Sequence, residues 1–242
     1  MPGKIDILGV KIDQLDLSEA LQYIVQVIKE GGRAMIVTAN PEIVMKARRE
    51  PRFAEILSEA DLITADGVGL IIAAKIFGTP LKGRVTGIDL IQALFEIGAR
   101  EGYRFYFLGA REEVVKQAVA NVRAKYPGIV MAGYHHGYFQ DDEDGVLADI
   151  KASRPHILLA ALGMGKQEAW ISAHQAELGI PVAIGVGGSF DVLAGAVKRA
   201  PVFMQRLGLE WLYRLITQPS RFFRMLELPK FLFLVLAKKI FR

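Results

Sequence analysis

Asp66 is the residue of the sequence best suited to act as a general base. It follows a short apolar segment and precedes Gly67, a setting in which partial removal from water raises the pKa of a carboxyl group. The same position is also typical of a residue that caps the next helix. Thr38 and Asn40 follow another apolar segment, and they either hydrogen-bond a sugar hydroxyl or cap a helix that begins at Pro41.

Glycines mark three places where an apolar segment gives way to a helical pattern. At Gly109, Gly163 and Gly187, backbone N–H groups can approach a phosphate at a helix N-terminus. The three turns together predict a ligand that contains a diphosphate. Neither 163–165 nor 185–187 completes the dinucleotide-binding fingerprint and no P-loop is present, so an oxidoreductase and an ATPase have no support.

The sequence predicts no metal site. Cysteine is absent, and the adjacent His135 and His136 would point to opposite faces of a strand. The acidic run 141–144 contains an Asp-x-Asp element of the kind that holds a metal-bound nucleotide in other enzymes, but a solvated helix cap is the preferred interpretation. We therefore expect neither a metal nor another cofactor, and arginine or lysine must supply the positive charge for a departing diphosphate.

The elements that position these residues predict an α/β fold with a mostly parallel, Rossmann-like sheet flanked by helices. Apolar β-rich segments alternate with amphipathic helical ones, as in a parallel sheet that is covered on both faces. The predicted strands are residues 5–10, 34–38, 62–65, 104–108, 129–132, 157–161 and 182–186. The predicted helices are residues 18–30, 41–49, 68–77, 88–101, 112–125, 143–153 and 166–177. Residues 5–17 alternatively form a hairpin or an edge pair.

Ligands of such sheets bind beyond the carboxyl ends of the strands, which tells where the site should lie. The polar residues and glycines expected at that edge are Thr38, Asn40, Asp66, Gln167, Gly187, Gly188 and Asp191. Arg84 belongs to a loop that can reach the same crevice.

The net charge differs in sign on the two sides of residue 196. Residues 196–242 carry ten lysines and arginines and two acidic residues, a net charge of +8, whereas residues 1–195 carry −4. We therefore predict an α/β domain over residues 1–195, which holds Asp66, and a helical appendage over residues 196–242. Two helices are predicted in the appendage, 201–217 and 220–241, with a further break at Pro229 as an alternative.

The composition of the appendage predicts a partner. Aromatic and aliphatic residues interleave with arginines, which is typical of a helix that lies in a membrane interface. A helical pair packed on the core and an oligomer interface are the alternatives, and an exposed apolar tail is expected to self-associate when no membrane is present. Binding of nucleic acid is a less favoured interpretation, since the aliphatic content is high and no nucleic-acid module is visible.

The sequence predicts neither a secretory signal nor a membrane-spanning helix. The first residues lack a basic segment followed by an apolar core, so no secretory signal is predicted. The apolar run 231–237 is shorter than the ~20 residues that cross a bilayer as a helix.

Several motifs recur in the same order in a known family. They are Val-Thr-Ala-Asn-Pro-Glu (37–42), Ala-Asp-Leu-Ile-Thr-Ala-Asp-Gly-Val-Gly (60–69), Tyr-Pro-Gly (126–128), His-Gly-Tyr-Phe (136–139), Gly-Lys-Gln-Glu-Ala-Trp (165–170), Gly-Val-Gly-Gly-Ser-Phe-Asp-Val-Leu-Ala-Gly (185–195), Arg-Ala-Pro (199–201) and Leu-Glu-Trp-Leu-Tyr-Arg-Leu (209–215). Over nearly its whole length the chain thus resembles the WecG/TagA/CpsF family of glycosyltransferases.

The resemblance implies an inverting transfer from a UDP-linked sugar of the N-acetylmannosamine type. The acceptor would be undecaprenyl-diphosphate-linked N-acetylglucosamine, as in the synthesis of the linkage unit of wall teichoic acid. It also implies that residues 196–242 dock on the cytoplasmic face of the bacterial cell membrane as a peripheral element and help to complete the site.

Roles for individual residues follow from the same resemblance, beginning with Asp66 as the base that deprotonates the acceptor hydroxyl. The residues expected around it are Thr38, Asn40, Gln167 and Arg84 for the sugar, Tyr138 stacked on the uracil, Gly187, Gly188 and Asp191 for the nucleotide, and Arg214, Arg221 and Arg224 for the diphosphates.

The chain departs from the family pattern at a few positions. Thr64 and Gly165 stand where many members have proline, and Arg224 is followed by methionine and leucine instead of an aromatic residue. Two other functions remain open: the same chemistry on N-acetylmannosaminuronic acid or a capsular sugar, and a membrane-recruited protein that binds UDP-sugar without turnover.

Overall fold

The computed structural model describes residues 3–218 and 222–241, so the predicted site residue Arg221 lies outside the described residues. The strands are β1 Lys4–Ile7, β2 Val10–Asp13, β3 Ala34–Ala39, β4 Leu62–Ala65, β5 Arg104–Gly109, β6 Val130–His135, β7 Ile157–Ala161 and β8 Val182–Gly185. The helices are α1 Leu17–Lys29, α2 Pro41–Arg49, α3 Pro51–Ser58, α4 Val68–Ile76, α5 Gly87–Glu101, α6 Glu112–Lys125, α7 Glu143–Ser153, α8 Lys166–Leu178, α9 Ser189–Leu193, α10 Val202–Arg206, α11 Glu210–Thr217, α12 Phe222–Met225 and α13 Glu227–Ile240.

A six-stranded sheet forms the centre of the molecule, in the order β4-β3-β8-β7-β5-β6 with every neighbouring pair parallel. Every residue of β3, β4 and β8 is buried, because helices cover both faces of the sheet. The predicted fold class is confirmed.

Across strands β3, β8, β7 and β5, the helices that follow neighbouring strands lie on opposite faces of this sheet. Ile43 of α2 and Ile171 of α8 belong to one hydrophobic core, and Phe190 of α9 and Val115 of α6 belong to the other. The chain therefore turns to opposite sides after β3 and its neighbour β8, and again after β7 and its neighbour β5. Such reversals open a crevice at the carboxyl ends of the strands, where open α/β sheets bind ligands.

The first segment forms a hairpin outside the central sheet. Strands β1 and β2 pair antiparallel across Leu8 and Gly9, as the alternative interpretation of residues 5–17 predicted. The hairpin is fixed to the sheet by the buried Asp13, whose carboxylate accepts a hydrogen bond of 2.8 Å from the backbone N–H of Ile63.

The helices near the C-terminus are shorter than predicted. The segment 201–217 divides into α10 and α11 at Gly208, whose backbone has φ of 71°. Helices α12 and α13 likewise replace the single helix predicted over 220–241, and Ser220 itself lies outside the described residues. Pro229 is in the first turn of α13 and does not break it, because backbone N–H groups there have no acceptor within the helix.

The last helix belongs to the core of the protein. On α13, Phe231 and Val235 are completely buried in the same hydrophobic core as α2 and α4. Helices α4 and α13 approach each other closely at Gly69, where a Cβ atom would lie 2.9 Å from the side chain of Leu228. The division of the chain near residue 196 stays a prediction.

Candidate active site

A cavity of about 480 Å³ lies at the carboxyl ends of β3, β4, β7 and β8. Its wall contains the predicted site residues that fall within the described ranges: Thr38, Asn40, Asp66, Arg84, Tyr138, Gln167, Gly187, Gly188, Asp191, Arg214 and Arg224. Residues up to 186 positions apart in the chain thus meet in one cleft. Helices α11 and α12 close one side of it, so the basic C-terminal segment is part of the cleft wall.

Asp66 follows β4 and borders the cleft while protein surrounds most of its side chain. Burial raises the pKa of this carboxyl group to about 6, although Arg214, the backbone N–H of Gly87 and Arg84 each act to lower it. The N–H of Gly87 lies 3.4 Å from Asp66 Oδ2. The first residue before α4 is Gly67, and no side chain caps that helix, so the capping interpretation of Asp66 is not realised.

The turn that carries Asp66 packs tightly against the turn after β3. A Cβ atom at Gly67 would lie 2.6 Å from the Pro41 ring, so only glycine fits there without movement. The side chain of Asn40 caps α2, accepting a hydrogen bond of 3.0 Å from the N–H of Ile43. Thr38 instead donates its hydroxyl to the carbonyl of Gly185, 3.2 Å away on β8.

A buried amide and carboxyl fix the turn after β8. Gln167 accepts a hydrogen bond of 3.1 Å from the N–H of Gly187 and donates one of 2.9 Å to Glu168. Glu168 also accepts one of 2.6 Å from the N–H of Gly165, and burial raises the pKa of its carboxyl group. Gln167 therefore sets the position of the Gly187 backbone in addition to lining the cleft.

The rim opposite the C-terminal helices holds Tyr138, whose side chain is 66% exposed. Tyr138 also borders a second cavity of about 330 Å³ that reaches Trp170 and Glu143. Asp191 lies in α9 just after the Gly187–Gly188 turn and faces the same main cleft. Stacking on a nucleobase by Tyr138 stays a prediction.

Three arginines bring positive charge to the cleft. Arg84 forms an ion pair with Glu210 of α11. Arg224 of α12 donates two hydrogen bonds, of 2.7 and 2.9 Å, to the carboxylate of Glu42 on α2. Within residues 3–218 and 222–241, no carboxylate lies within 4 Å of the Arg214 guanidinium, so this cation is available to a ligand.

Ion pairs that support these arginines could not be predicted from the sequence. Arg199 contacts Asp89 with two nitrogens, at 2.6 and 2.9 Å, and reaches Glu210 at 3.3 Å. Burial acts to raise the pKa of Asp89, but hydrogen bonds from Arg199 and Thr86 hold it below its ordinary value. Arg199 and Glu210 each fall within a motif quoted above, yet nothing in the sequence indicates that they pair.

Neither a metal-binding cluster nor a membrane-spanning helix is found among the described residues. In residues 3–218 and 222–241 there is no group of three or more histidine, aspartate or glutamate side chains that could hold a metal ion, and the expectation of no metal stays a prediction. No helix in the same ranges is both long and apolar enough to cross a membrane.

A parallel α/β sheet whose cleft joins a desolvated carboxyl group to several arginines offers a general base beside positive charge for an anionic ligand. The sequence matches the glycosyl transferase WecG/TagA/CpsF family over residues 5–242. The chain belongs to this family and is a glycosyltransferase.

Two relatives illustrate the similarity. The N-acetylglucosaminyldiphosphoundecaprenol N-acetyl-beta-D-mannosaminyltransferase of Bacillus spizizenii is 41% identical over 231 residues, which cover 93% of this chain and 90% of that protein. The protein of the same name from Staphylococcus aureus (strain NCTC 8325 / PS 47) is 35% identical over 239 residues, which cover 98% of this chain and 94% of that protein.

Proposed function

We propose that the protein transfers N-acetylmannosamine from UDP-N-acetylmannosamine to undecaprenyl-diphosphate-linked N-acetylglucosamine, with inversion at the anomeric carbon. The single observation that carries the proposal is Asp66, a carboxyl group with a pKa raised to about 6, facing a cleft that also holds Arg84 and Arg214. The names of the two relatives support the choice of sugar and acceptor, since both relatives align with nearly the whole chain.

In this reaction Asp66 acts as the general base. Its carboxylate takes the proton of the acceptor hydroxyl while the oxygen of that hydroxyl bonds to the anomeric carbon of the donor sugar. The bond from that carbon to the diphosphate breaks on the opposite face, and UDP leaves. A pKa near 6 leaves Asp66 mostly ionised at neutral pH yet more basic than an ordinary aspartate.

Arginine supplies the charge that the departing diphosphate needs. Arg214 is the cation best placed for this role, because it lines the cleft and no carboxylate of the described residues lies within 4 Å of its guanidinium. Arg84 and Arg224 assist by exchanging part of their contact with Glu210 and Glu42 for phosphate oxygens. Positive charge fixed in advance at this point favours the transition state over the bound donor.

The remaining residues orient the two substrates. On the donor side, the Gly187–Gly188 turn offers the backbone N–H of Gly188, since that of Gly187 is donated to Gln167, while Asp191 meets the ribose and Tyr138 stacks on the base. Three polar residues that line the same cleft as Asp66 contact the sugar hydroxyls: Thr38, Asn40 and Gln167. Gln167 keeps spare hydrogen-bonding capacity for this purpose, because a primary amide has two donors and two acceptor sites.

The acceptor is a membrane lipid, and the surface around α10 to α12 suits a membrane interface. Exposed apolar side chains there are Val202, Phe203, Leu207, Ile216 and Phe223, each more than 60% exposed. Arg206 lies among them and can meet anionic lipid headgroups. Docking of residues 196–242 on the inner face of the cell membrane would bring the lipid-linked diphosphate to the arginines of the cleft.

The test is release of UDP from a series of UDP-sugars, with the lipid-diphosphate N-acetylglucosamine acceptor embedded in vesicles. We expect UDP-N-acetylmannosamine to give acceptor-dependent release, and mass spectrometry of the lipid product to show one added N-acetylhexosamine. Release only with UDP-N-acetylmannosaminuronic acid or another sugar would move the protein to a different pathway. Tight donor binding without release from any donor would overturn the proposed transfer.

A further inference from the structure

Arg199 joins two helices that meet at the cleft. Its guanidinium makes a two-point contact with Asp89 in the first turn of α5, at 2.6 and 2.9 Å. Its Nε atom lies 3.3 Å from Glu210, the first residue of α11. Two-point contacts between arginine and carboxylate fix orientation as well as distance. Arg199 and Glu210 are largely shielded from solvent, so salt weakens these contacts less than those of a surface ion pair.

Asp89 is held in place by hydrogen bonds with Thr86, in the same turn whose Gly87 contacts Asp66. The hydroxyl of Thr86 donates to Asp89 at 2.6 Å, and the N–H of Asp89 donates back to that hydroxyl at 3.1 Å. Between these two residues in the chain is Gly87, whose N–H contacts Asp66. The first turn of α5 is therefore a fixed point beside the base.

Glu210 belongs to the same helix as Arg214, which lines the cleft. Arg214 follows Glu210 by four residues on α11, so the two side chains lie on the same face of the helix. The apolar packing of this helix is partial, because no residue of α10 or α11 is fully buried, although Gly208 just before α11 packs closely against Val68 of α4. Contacts of Glu210 with Arg84 and Arg199 are thus the main polar links between α11 and the body.

We propose that Arg199 is a positioning residue that ties α11 to the first turn of α5 and thereby holds Arg214 over the cleft beside Asp66. Arg199 does not line the cleft and touches neither Asp66 nor Arg214, so it acts through Glu210 and Asp89. The inference rests on the proposed function in one respect, which is that Asp66 is the base. Its effect on the position of Arg214 is independent of which sugar is transferred.

Arg199→Ala, Arg199→Lys and Lys198→Ala test the role by steady-state kinetics with the donor that the unsubstituted chain prefers. Arg199→Ala is expected to lower kcat about 10- to 100-fold, the range for loss of a preorganised charge, and to change the KM for the donor much less. Arg199→Lys keeps the charge without the two-point contact and should fall between. Lys198 is exposed and next in sequence, so Lys198→Ala should stay within about twofold of the unsubstituted chain.

A second readout needs no turnover and separates positioning from general stability. Carbon-13 NMR follows the titration of the Asp66 carboxyl group, with Asp66→Asn used to assign the signal. The charged groups that act on Asp66 are Arg214, Arg84 and Glu210, and Arg214 is the strongest of them. If Arg199→Ala lets α11 move away, Asp66 loses both the influence of Arg214 and part of its burial, so its titration should shift away from that of the unsubstituted chain, while Lys198→Ala should leave it in place.

The outcomes distinguish this inference from the proposed function. An active protein in which Arg199→Ala changes neither kcat nor the titration of Asp66 overturns the positioning role. The same holds if Arg199→Ala lowers only the midpoint of thermal unfolding. A chain that transfers no sugar at all overturns the proposed function, and the NMR titration still decides whether Arg199 positions Arg214.

Discussion

At the scale of single residues, Asp66 is held where its charge is disfavoured. Burial raises its pKa from 3.8 to about 6, against the opposing influence of Arg214, Gly87 and Arg84. Between these two values the folded protein binds a proton that the unfolded chain releases. Stability contributed by this group is therefore present at low pH and is lost as the pH rises through 6. A carboxyl group retained at such a cost is a candidate for a functional role.

The raised pKa of Asp66 predicts that Asp66→Asn stabilises the protein at neutral and alkaline pH. The neutral amide avoids the cost of ionising a buried group, so the free energy of unfolding should rise by about 1–3 kcal/mol at pH 8. The gain should shrink towards zero below pH 4, where aspartate is protonated in both states. Urea unfolding at pH 4, 6 and 8 measures the difference, and an equal loss of stability at every pH would contradict the assigned burial.

The sequence predicted part of the cleft wall, because glycines and polar residues after apolar strands indicate the ligand-binding edge of an α/β sheet. It did not show which of these residues are held internally. Asn40 caps α2, and Arg224 contacts Glu42, a residue 182 positions earlier in the chain. No local pattern encodes a pair that far apart, so the network of Arg199, Asp89 and Glu210 was missed as well.

At the scale of elements, the sheet and its flanking helices were predictable, whereas the C-terminal helices were only partly so. Strong periodicity places the long elements, but α3 was missed because Pro51 begins a second helix directly after α2 ends. The break at Gly208 was missed too, since glycine near the middle of an apolar pattern does not by itself end a helix. Both features depend on how the segments pack in the folded protein.

Helix α13 offers a matched pair of substitutions that measures its contribution to the core. Phe231 is fully buried against α2 and α4, whereas Phe233, two residues later on the same helix, is 70% exposed. Phe231→Ala should reduce the free energy of unfolding by about 3–5 kcal/mol, the cost of a cavity of that size. Phe233→Ala should change it by about 0.5 kcal/mol or less. Equal effects of the two substitutions would show that α13 does not pack as described.

At the scale of the whole molecule, the opposite charges of the two segments have a structural use. The basic residues of the C-terminal segment form ion pairs with the acidic body through Arg224 and Glu42, and through Lys238 and Asp6. Charge asymmetry predicted a separate appendage over residues 196–242, and the same asymmetry helps to attach that segment to the cleft. The wall of the site is thus assembled from the first, middle and last parts of the chain.

Two groups of apolar residues near the C-terminus differ in their burial. Phe231 and Val235 enter the core, while Phe203, Leu207 and Ile216 remain exposed beside the cleft. The exposed group lies where a lipid-linked acceptor must approach under the proposed function. A sequence pattern alone could not separate the two groups, since both consist of aromatic and aliphatic residues among arginines and lysines.

The central claim is that Asp66 must be ionised for sugar transfer, and the pH dependence of kcat/KM tests it most directly. Rates of acceptor-dependent UDP release are measured from pH 4.5 to 8.5 on the full chain in vesicles. A base with a pKa of about 6 predicts a rate that is constant above about pH 7 and falls about tenfold per unit below pH 6.

Asp66→Asn should lower the plateau by about 10²- to 10⁴-fold, whereas Asp144→Asn, a change at an exposed carboxylate, should leave the profile unchanged. A profile of the unsubstituted chain that is flat down to pH 4.5, or full activity in Asp66→Asn, would contradict the assignment of Asp66 as the base.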